Sequence, residues 1–200
     1  MSTYPVVYEQ HPPIKRNRLT VFLRVFMCIP HAIWGWFYGI GLFFVEVAAW
    51  FAILFTGRFP QGMYDFVVGY LRFYTRYSAY ALLVVDDFPP FDGGQHRGYP
   101  VGVDIEPPAP RYSRLKALFR IILAIPILVM QYLLQIWLLV VAIAIWFVAV
   151  VTGKTPPGLS EAMRFPMSFF VRSTAYLYLI TDIYPAISET DALLPAEASA

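Results

Sequence analysis

The chain has 200 residues, of which 58 % are hydrophobic and only 14 % are charged, whereas soluble domains carry about 25 % charged residues. This composition excludes an ordinary soluble domain and favours a membrane protein. The formal net charge of +2 is too small to predict nucleic-acid binding, and a single cysteine excludes an internal disulfide or a thiolate metal cluster.

The predicted elements follow in the same order twice, because the two halves of the chain repeat each other. Through most of each half the offset is 96 residues, as between Arg18 and Arg114 or Asp86 and Asp182. An internal repeat of this kind is interpreted first, since it organises the whole fold. We expect a first repeat at residues 1–91, a linker at 92–98, a second repeat at 99–187 and a flexible tail at 188–200.

Each repeat begins with a short alternating segment, residues 4–8 and 99–105, which favours a short strand that the following prolines end. An apolar run comes next, at residues 19–55 and 115–151, and both runs exceed the roughly 20 residues that cross a hydrocarbon core. Gly57 and Gly153, each with a basic residue beside it and a proline shortly beyond, indicate helix ends. A polar segment precedes the first run, so it does not resemble a cleaved signal peptide.

The last element of each repeat is an amphipathic helix, predicted at residues 61–85 and 158–181. Asp65, Arg72 and Arg76 are spaced by seven and four residues, which places them in one polar stripe. In the second repeat Glu161, Ser168 and Arg172 take the equivalent positions.

Membrane topology follows from the basic residues before each apolar run, since such residues mark the cytoplasmic side. Both copies carry them at the same end, which predicts an even number of crossings per repeat. Either the long run crosses once and the striped helix returns, or the run folds into a hairpin and the striped helix lies on the surface. The hairpin is slightly favoured, because it keeps Arg72 and Arg76 out of the bilayer centre. The predicted class is an all-α, multi-pass protein with about four crossings and both termini in the cytoplasm.

Several short motifs of the first copy resemble a known family. They are a Tyr-Pro-Val start, Arg-Leu before the apolar run, Ile29-Pro30-His31, Thr-Gly-Arg-Phe-Pro at 56–60, an arginine and tyrosine pattern at 72–80 and Asp-x-Phe-Pro-Pro-Phe at 86–91. Together they are similar to the bacterial membrane proteins of the domain-of-unknown-function (DUF) 4389 family, in two tandem copies. The second copy departs from the pattern at Ile127, Ser168 and Ile187. The resemblance implies a protein of the bacterial cytoplasmic membrane and carries no known activity.

Two features of the apolar runs are candidate sites. Glu46 is an acid deep in the first run, which by default suggests a proton or cation site, although its counterpart is Ala142 and a structural role is equally open. Gly35 and Gly39 allow close helix packing, and their counterparts are Gln131 and Gln135. Either the amides of one copy cover the glycines of the other, or the roles are separate, with glycine for bending or turning and glutamine for interhelical hydrogen bonds.

The main polar constellation is the stripe with its terminal acid. Arginine suits phosphate groups, so one interpretation is contact with anionic lipid headgroups, and the alternative is structural ion pairs that orient the helix. The residues concerned are Arg72, Arg76, Arg164, Arg172, Asp65, Glu161, Asp86 and Asp182.

No catalytic residue, metal site or cofactor is predicted. His11, His31 and His96 have no repeated counterparts, and His31 is expected to bond a backbone carbonyl near the Pro30 kink. Gly153-Lys154-Thr155 lacks the upstream glycine of a phosphate-binding loop and is interpreted as a helix stop. The expected function is a non-enzymatic membrane scaffold or accessory subunit with lipids as partners and a larger membrane complex or a second copy as further candidates. A small transporter or channel and a lipid-modifying enzyme are the alternatives.

Overall fold

The computed structural model describes residues 4–185, and the predicted tail at 188–200 lies outside them. Within this range the chain is mostly helical. The elements in order are β1 (Val6–Gln10), α1 (Arg18–Phe22), α2 (Arg24–Thr56), α3 (Gln61–Ala81), β2 (Val101–Ile105), α4 (Arg114–Leu118), α5 (Arg120–Thr152) and α6 (Pro157–Leu177).

The two apolar runs form α2 and α5, each one continuous helix of 33 residues and therefore about 50 Å long. Pro30 and Pro126 lie inside these helices without ending them. Both helices end at the predicted glycine, with Gly57 and Gly153 in the left-handed conformation at φ 71° and 70°. The hairpin interpretation of the apolar runs is wrong, because after the short turns at Leu23 and Phe119 each run continues as one unbroken helix.

The second helix of each copy packs back along the first. Tyr38 of α2 lies against Tyr70 of α3 with ring centroids 5.2 Å apart, and a Cβ built on Gly35 would lie 3.2 Å from the Phe73 ring. Both second helices end four residues earlier than predicted, at Ala81 and Leu177. The chain leaves the helix there because Leu83 and Leu179 adopt positive φ, 62° and 60°, a left-handed conformation typical of helix C-termini.

The long helices run antiparallel, and the beginning of each copy meets the end of the other copy's long helix. At the first junction (residues 14–18 with 153–155), the Arg16 amide donates to the Gly153 carbonyl at 2.9 Å. At the second junction (residues 57–59 with 111–114), the Tyr112 amide donates to the Gly57 carbonyl at 2.9 Å. The Trp50 indole bonds the Ala117 carbonyl at 3.0 Å. The two copies are therefore interlocked rather than placed side by side.

The two predicted strands pair with each other, antiparallel, from Val6 opposite Ile105 to Gln10 opposite Val101. The strand of each copy packs on the second helix of the other, β1 on α6 and β2 on α3. Three layers result, with α2 and α5 on one side, α3 and α6 in the middle, and the sheet on the other side. The class is mostly helical rather than all-α, since the alternating segments are true strands.

By length and composition, α2 and α5 are the two helices in the described part of the chain that could cross a membrane. The predicted count of about four crossings would need α3 and α6 to cross as well, and it stays a prediction.

Candidate functional site

The outer surface of α2 and α5 is apolar and exposed. In the most apolar 18-residue stretch of each helix, only 17 % of α2 and 28 % of α5 is buried inside the protein. A core helix of a soluble protein is mostly buried. Large exposed side chains recur every three or four residues along one face of each helix, and we call these two sets the outer rows. The outer row of α2 comprises Phe26, Ile29, Ile33, Phe37, Ile40, Phe44, Val47, Phe51 and Phe55.

The outer row of α5 occupies the equivalent positions, 96 residues later, at Ile122, Ile125, Val129, Leu133, Ile136, Val140, Ile143, Phe147 and Val151. The buried residues of α2, such as His31, Ala49 and Ile53, lie on the opposite face, toward the rest of the protein. An exposed apolar surface this extensive is typical of contact with a membrane or another protein.

Exposed basic residues gather at both ends of this surface. Lys15, Arg18 and Lys154 lie at the first junction, and Arg58, Arg111, Arg114 and Lys116 lie at or beside the second. A Cβ on Gly153 would lie 3.2 Å from Arg18 Nε, and one on Gly57 would lie 3.6 Å from Arg114 Nε. Each cluster thus covers the C-terminus of a long helix, where the helix dipole favours positive charge.

The second junction contains an open pocket of about 540 Å³, lined by Thr56, Gly57, Arg58, Arg111, Tyr112 and Arg114. Three arginines around one concave surface provide several donors for an anionic group. None of these arginines belongs to the predicted polar stripe. The clustering could have been noticed from the repeat, but only the exchange between the copies places residues 58 and 111 together.

The first repeated acid, Asp86, is bound by two buried arginines. Its Oδ1 atom accepts from Arg16 Nη1 and from Arg24 Nη2, each at 2.5 Å. Arg24 also donates to the carbonyls of Tyr80 and Val85, at 2.8 and 2.7 Å, and lies 4.2 Å from the centre of the Tyr80 ring. Burial lowers the pKa of Arg16, while the neighbouring Asp86 opposes that shift.

The second copy repeats this arrangement. Asp182 accepts from Arg120 Nη2 at 2.8 Å, and Arg120 donates to the carbonyls of Tyr176 and Thr181. Arg120 lies 4.1 Å from the centre of the Tyr176 ring. The repeated acids therefore form structural ion pairs, but with arginines at the start of the long helices and not with the polar stripe. Arg24 and Arg120 also each bind one carbonyl in the last turn of α3 or α6, Tyr80 or Tyr176, which accepts in addition the amide of Leu83 or Leu179.

The stripe arginines of the first copy point toward the sheet and the linker. Arg72 Nε donates to the Val103 carbonyl at 3.3 Å. Arg76 is 4 % exposed and donates to the carbonyls of Gly94 and Asp92, with the Asp92 carboxylate at 3.6 Å. Burial lowers the pKa of Arg76. The linker at 92–98 thus covers the stripe, which the sequence interpretation missed.

The other stripe residues are dispersed. In the second copy Arg172 is buried beneath strand β1, with the Tyr4 ring centre 5.8 Å from its guanidinium. Arg164 and Glu161 approach each other at 3.5 Å on the surface. Asp65 is exposed and accepts from Gln61 Nε2 at 2.8 Å. The eight predicted residues therefore do not converge on one site.

A second concave region lies on the sheet side of the first copy, with a volume of about 390 Å³. Its basic lining residues are His11, Arg72, Arg76, His96 and Arg97, and its acidic ones are Glu9 and Asp104. His96 bonds Asp92 at 2.6 Å, and this hydrogen bond lowers the pKa of the Asp92 carboxyl.

Three of the four glycine and glutamine positions make contacts within their own copy. Gly35 faces Phe73 and Gly39 faces the Tyr70 hydroxyl, both on α3, while Gln131 Nε2 donates to Thr174 Oγ1 of α6 at 3.1 Å. Gln135 is exposed on α5. The interpretation in which amides of one copy cover glycines of the other is therefore wrong. Gln131 forms the interhelical hydrogen bond of the alternative interpretation, whereas Gly35 and Gly39 lie within a continuous helix and do not form a turn.

Glu46 and His31 both face the protein. Glu46 is close enough to Arg120 and Tyr178 for electrostatic interaction, and within the described chain its buried Oε1 has no hydrogen-bond partner. His31 Nε2 bonds the Pro89 carbonyl at 2.7 Å, with its ring 3.9 Å from that of Phe91. The predicted carbonyl bond of His31 exists, but its partner is in the loop after α3 rather than at the kink.

Residues 4–185 contain no group of three His, Cys, Asp or Glu residues that could hold a metal ion. Lys154 and Thr155, the residues that resemble a phosphate loop, follow the end of α5, and the Thr155 hydroxyl accepts from Arg16 Nε.

A known family matches both repeats of the chain. The family described as "Domain of unknown function (DUF4389)" matches residues 18–92 and again 114–188. The resemblance noted in the sequence is confirmed, and the chain belongs to this family as two tandem copies. No curated protein and no solved structure matches the chain.

Proposed function

We propose that this DUF4389 protein is a non-enzymatic membrane protein, a scaffold or accessory subunit, that is embedded through α2 and α5 and binds anionic lipid headgroups. The observation that carries the proposal is the pair of exposed outer rows with exposed lysine and arginine residues at both ends. Hydrocarbon favours such rows, and each basic residue near an anionic surface contributes about 1 kcal/mol of binding.

The headgroup contacts are assigned to the two junctions and not to the buried stripe arginines. Arg76 and Arg172 are 4 % and 1 % exposed, so neither can reach a headgroup in this conformation. Arg18, Lys154, Arg58 and Arg111 are exposed and border the apolar surface, which supports this assignment.

Flotation with lipid vesicles tests the proposal. The purified protein is mixed with neutral phosphatidylcholine vesicles and with vesicles that also contain phosphatidylglycerol. We expect tighter binding to the anionic vesicles, and the double variant Arg58→Gln, Arg111→Gln should lose that preference by about fivefold per removed charge, the equivalent of about 1 kcal/mol each. Binding to neutral vesicles should not change.

Arg97→Gln is the matched control, since Arg97 is exposed but lies on the sheet side. It should leave the preference for anionic vesicles intact. Equal binding to both vesicle types by the unmodified protein, or an equal loss in the control, would disprove the headgroup assignment.

The buried carboxylate of Glu46 supports one alternative, a small channel or transporter with a site between the repeats. Its test is ion flux through reconstituted vesicles that disappears in Glu46→Gln. A lipid-modifying enzyme is less well supported, because Asp86 and Asp182 are engaged by arginines and are poorly placed to act as acid or base.

The predicted partners and location extend this proposal. A larger membrane complex or a second copy of the chain would bind through the apolar surface, and purification in mild detergent followed by mass spectrometry would identify it. The Tyr4 hydroxyl donates to the Ile183 carbonyl at 3.3 Å. This contact places residues 4 and 183 together, which supports the prediction that the two ends of the described chain lie on one side of the membrane.

A further inference from the structure

We infer that α2 and α5 lie along the plane of the membrane, so that the protein is embedded in a single leaflet with its sheet in water. The inference rests on the proposed membrane attachment. It differs from the spanning arrangement in that the two helices lie within one leaflet and do not cross the bilayer. The interacting surface consists of the two outer rows, and the partner is one lipid leaflet.

The position of the sheet relative to the long helices is the main argument. Arg72 Nε of α3 donates to the Val103 carbonyl of β2 at 3.3 Å, and the next residue, Phe73, packs at Gly35, about one third of the way along α2. The strands therefore lie level with the inner part of α2, two layers away. If α2 crossed the membrane, this level would be within the hydrocarbon core.

The open edges and exposed charges of the sheet are incompatible with the hydrocarbon core of a bilayer. In the described part of the chain β1 and β2 pair only with each other, so each strand has an edge without strand hydrogen bonds. Open sheet edges do not occur in contact with hydrocarbon. Glu9, Arg97 and Asp104 are also exposed on this side and would enter the bilayer with the strands, whereas intramembrane charges face a polar interior.

The second copy leads to the same result independently. Tyr4, just before β1, bonds the Arg172 carbonyl of α6 at 3.1 Å, and two residues further Thr174 accepts from Gln131 in α5. Gln131 is in the first half of α5, as Gly35 is in the first half of α2. The sheet thus lies beside the inner part of both long helices and not beyond the end of either.

The distribution of charge agrees with the in-plane placement. The basic clusters at the two junctions are separated by the length of α2, about 50 Å. In a spanning arrangement one cluster would lie on each side of the membrane, contrary to the asymmetry of basic residues across membranes. In the plane, both clusters lie at the headgroup level of the same leaflet.

The apolar surface also has the one-sided form that a leaflet requires. The outer rows of α2 and α5 both lie opposite the layer of α3 and α6. A helix that lies in the interface inserts its apolar face about 5–10 Å into the headgroup and acyl boundary. The chain presents two such helices in the same layer, with α3 and α6 between them and water.

Double labelling of cysteine pairs in sealed vesicles tests the placement without any need to know the orientation of each molecule. Cys28, the single cysteine, is changed to alanine, and Gly62→Cys and Gly158→Cys are introduced together. Both glycines are exposed with nothing within 4 Å of a built Cβ, and they follow the second and the first junction respectively. The vesicles react with a membrane-impermeant maleimide, and intact-mass spectrometry counts the labels on each molecule.

In-plane helices place both thiols on the same side, so each molecule should carry two labels or none. Spanning helices place the thiols on opposite sides, and one label on each molecule would overturn the inference. The control pair Gly62→Cys with Arg111→Cys, both near the second junction, should give two labels or none in either arrangement. Labelling after detergent addition confirms that all thiols can react.

Phe44→Cys, in the outer row of α2, separates failure of this inference from failure of the proposed function. Embedded protein should show at least tenfold slower labelling at this position in vesicles than in detergent. Equal rates would show that the outer row is not in lipid, which overturns both the proposed function and the in-plane placement.

Discussion

Arg16 and Tyr112 hold equivalent positions in the two repeats and donate hydrogen bonds to equivalent carbonyl groups, one from a guanidinium and the other from a phenol hydroxyl. Arg16 Nη2 donates to the Val84 carbonyl at 3.4 Å, and the Tyr112 hydroxyl donates to the Ile180 carbonyl at 3.0 Å. Their neighbours across the junctions, Thr155 and Phe59, are also at equivalent positions, and each suits its partner: a polar residue beside the arginine and an aromatic residue beside the tyrosine. Arg16 bonds the Thr155 hydroxyl, while the Tyr112 ring meets the Phe59 ring edge-on, at 5.9 Å.

This matching predicts that the two junction residues can be exchanged only as pairs. Arg16→Tyr alone should destabilise the fold by about 1–3 kcal/mol, because it leaves the buried Thr155 hydroxyl without its donor. Arg16→Tyr with Thr155→Phe reproduces the second junction and should recover part of that loss. Thermal unfolding in detergent of the single and double variants measures the coupling, and strictly additive effects would contradict it.

The two terminal acids should differ in their sensitivity to loss of an arginine. Arg120→Gln leaves Asp182 with the Ser113 amide at 2.6 Å and without its guanidinium partner. Arg24→Gln leaves Asp86 with Arg16. Breaking a buried pair costs about 3–5 kcal/mol, less here because both carboxylates are about one-fifth exposed. Arg120→Gln should therefore lower the melting temperature more than Arg24→Gln, and the opposite order would refute this account.

Gly93 should tolerate no side chain. A Cβ at this position would lie 2.5 Å from the Gly69 Cα on α3, so Gly93→Ala must displace the linker, at a cost of about 1–3 kcal/mol. Displacement would also disturb the Arg76 bonds to Asp92 and Gly94. Gly98→Ala is the control, because its Cβ would enter open space. Unfolding temperatures for the two variants should differ, and equal values would show that the helix and linker separate easily.

The linker should loosen in acid. The hydrogen bond from His96 lowers the pKa of Asp92 below its ordinary value of 3.8. A carboxyl whose pKa is lowered in the folded state stabilises that state above the unfolded pKa, and the contribution disappears as the pH falls through the folded pKa. NMR titration of Asp92 should give a midpoint below 3.8, and His96→Ala should raise it. An unchanged midpoint in the variant would exclude His96 as the cause.

Local pattern accounts for much of the fold. The offset between Arg18 and Arg114 identifies the repeat, the apolar runs identify α2 and α5, and alternating residues identify the strands. Gly57 and Gly153 end the long helices where expected, because a glycine adopts positive φ without a steric penalty. Leu83 and Leu179 adopt it as well, but nothing in their side chains indicates this, so the predicted ends of α3 and α6 are too late.

The site was much less predictable. The sequence indicates that Asp86 and Asp182 are important, yet it suggests the stripe as their partner instead of Arg24 and Arg120, which lie 62 residues before them. Residues that share a helix face are apparent from spacing, whereas contacts across the junctions depend on how distant segments meet. For the same reason Arg58 and Arg111 are unremarkable in the sequence and adjacent in the fold.

By itself the sequence determined the repeat, the family, the apolar long helices and the basic residues at their ends, because periodicity and composition are local properties of a chain. Only the tertiary structure decided that the copies exchange strands, that Arg72, Arg76 and Arg172 lie beneath the sheet and linker, and that the exposed arginines border the apolar surface. These relations depend on burial and on contacts between segments far apart in the chain, and no local pattern specifies which segments meet.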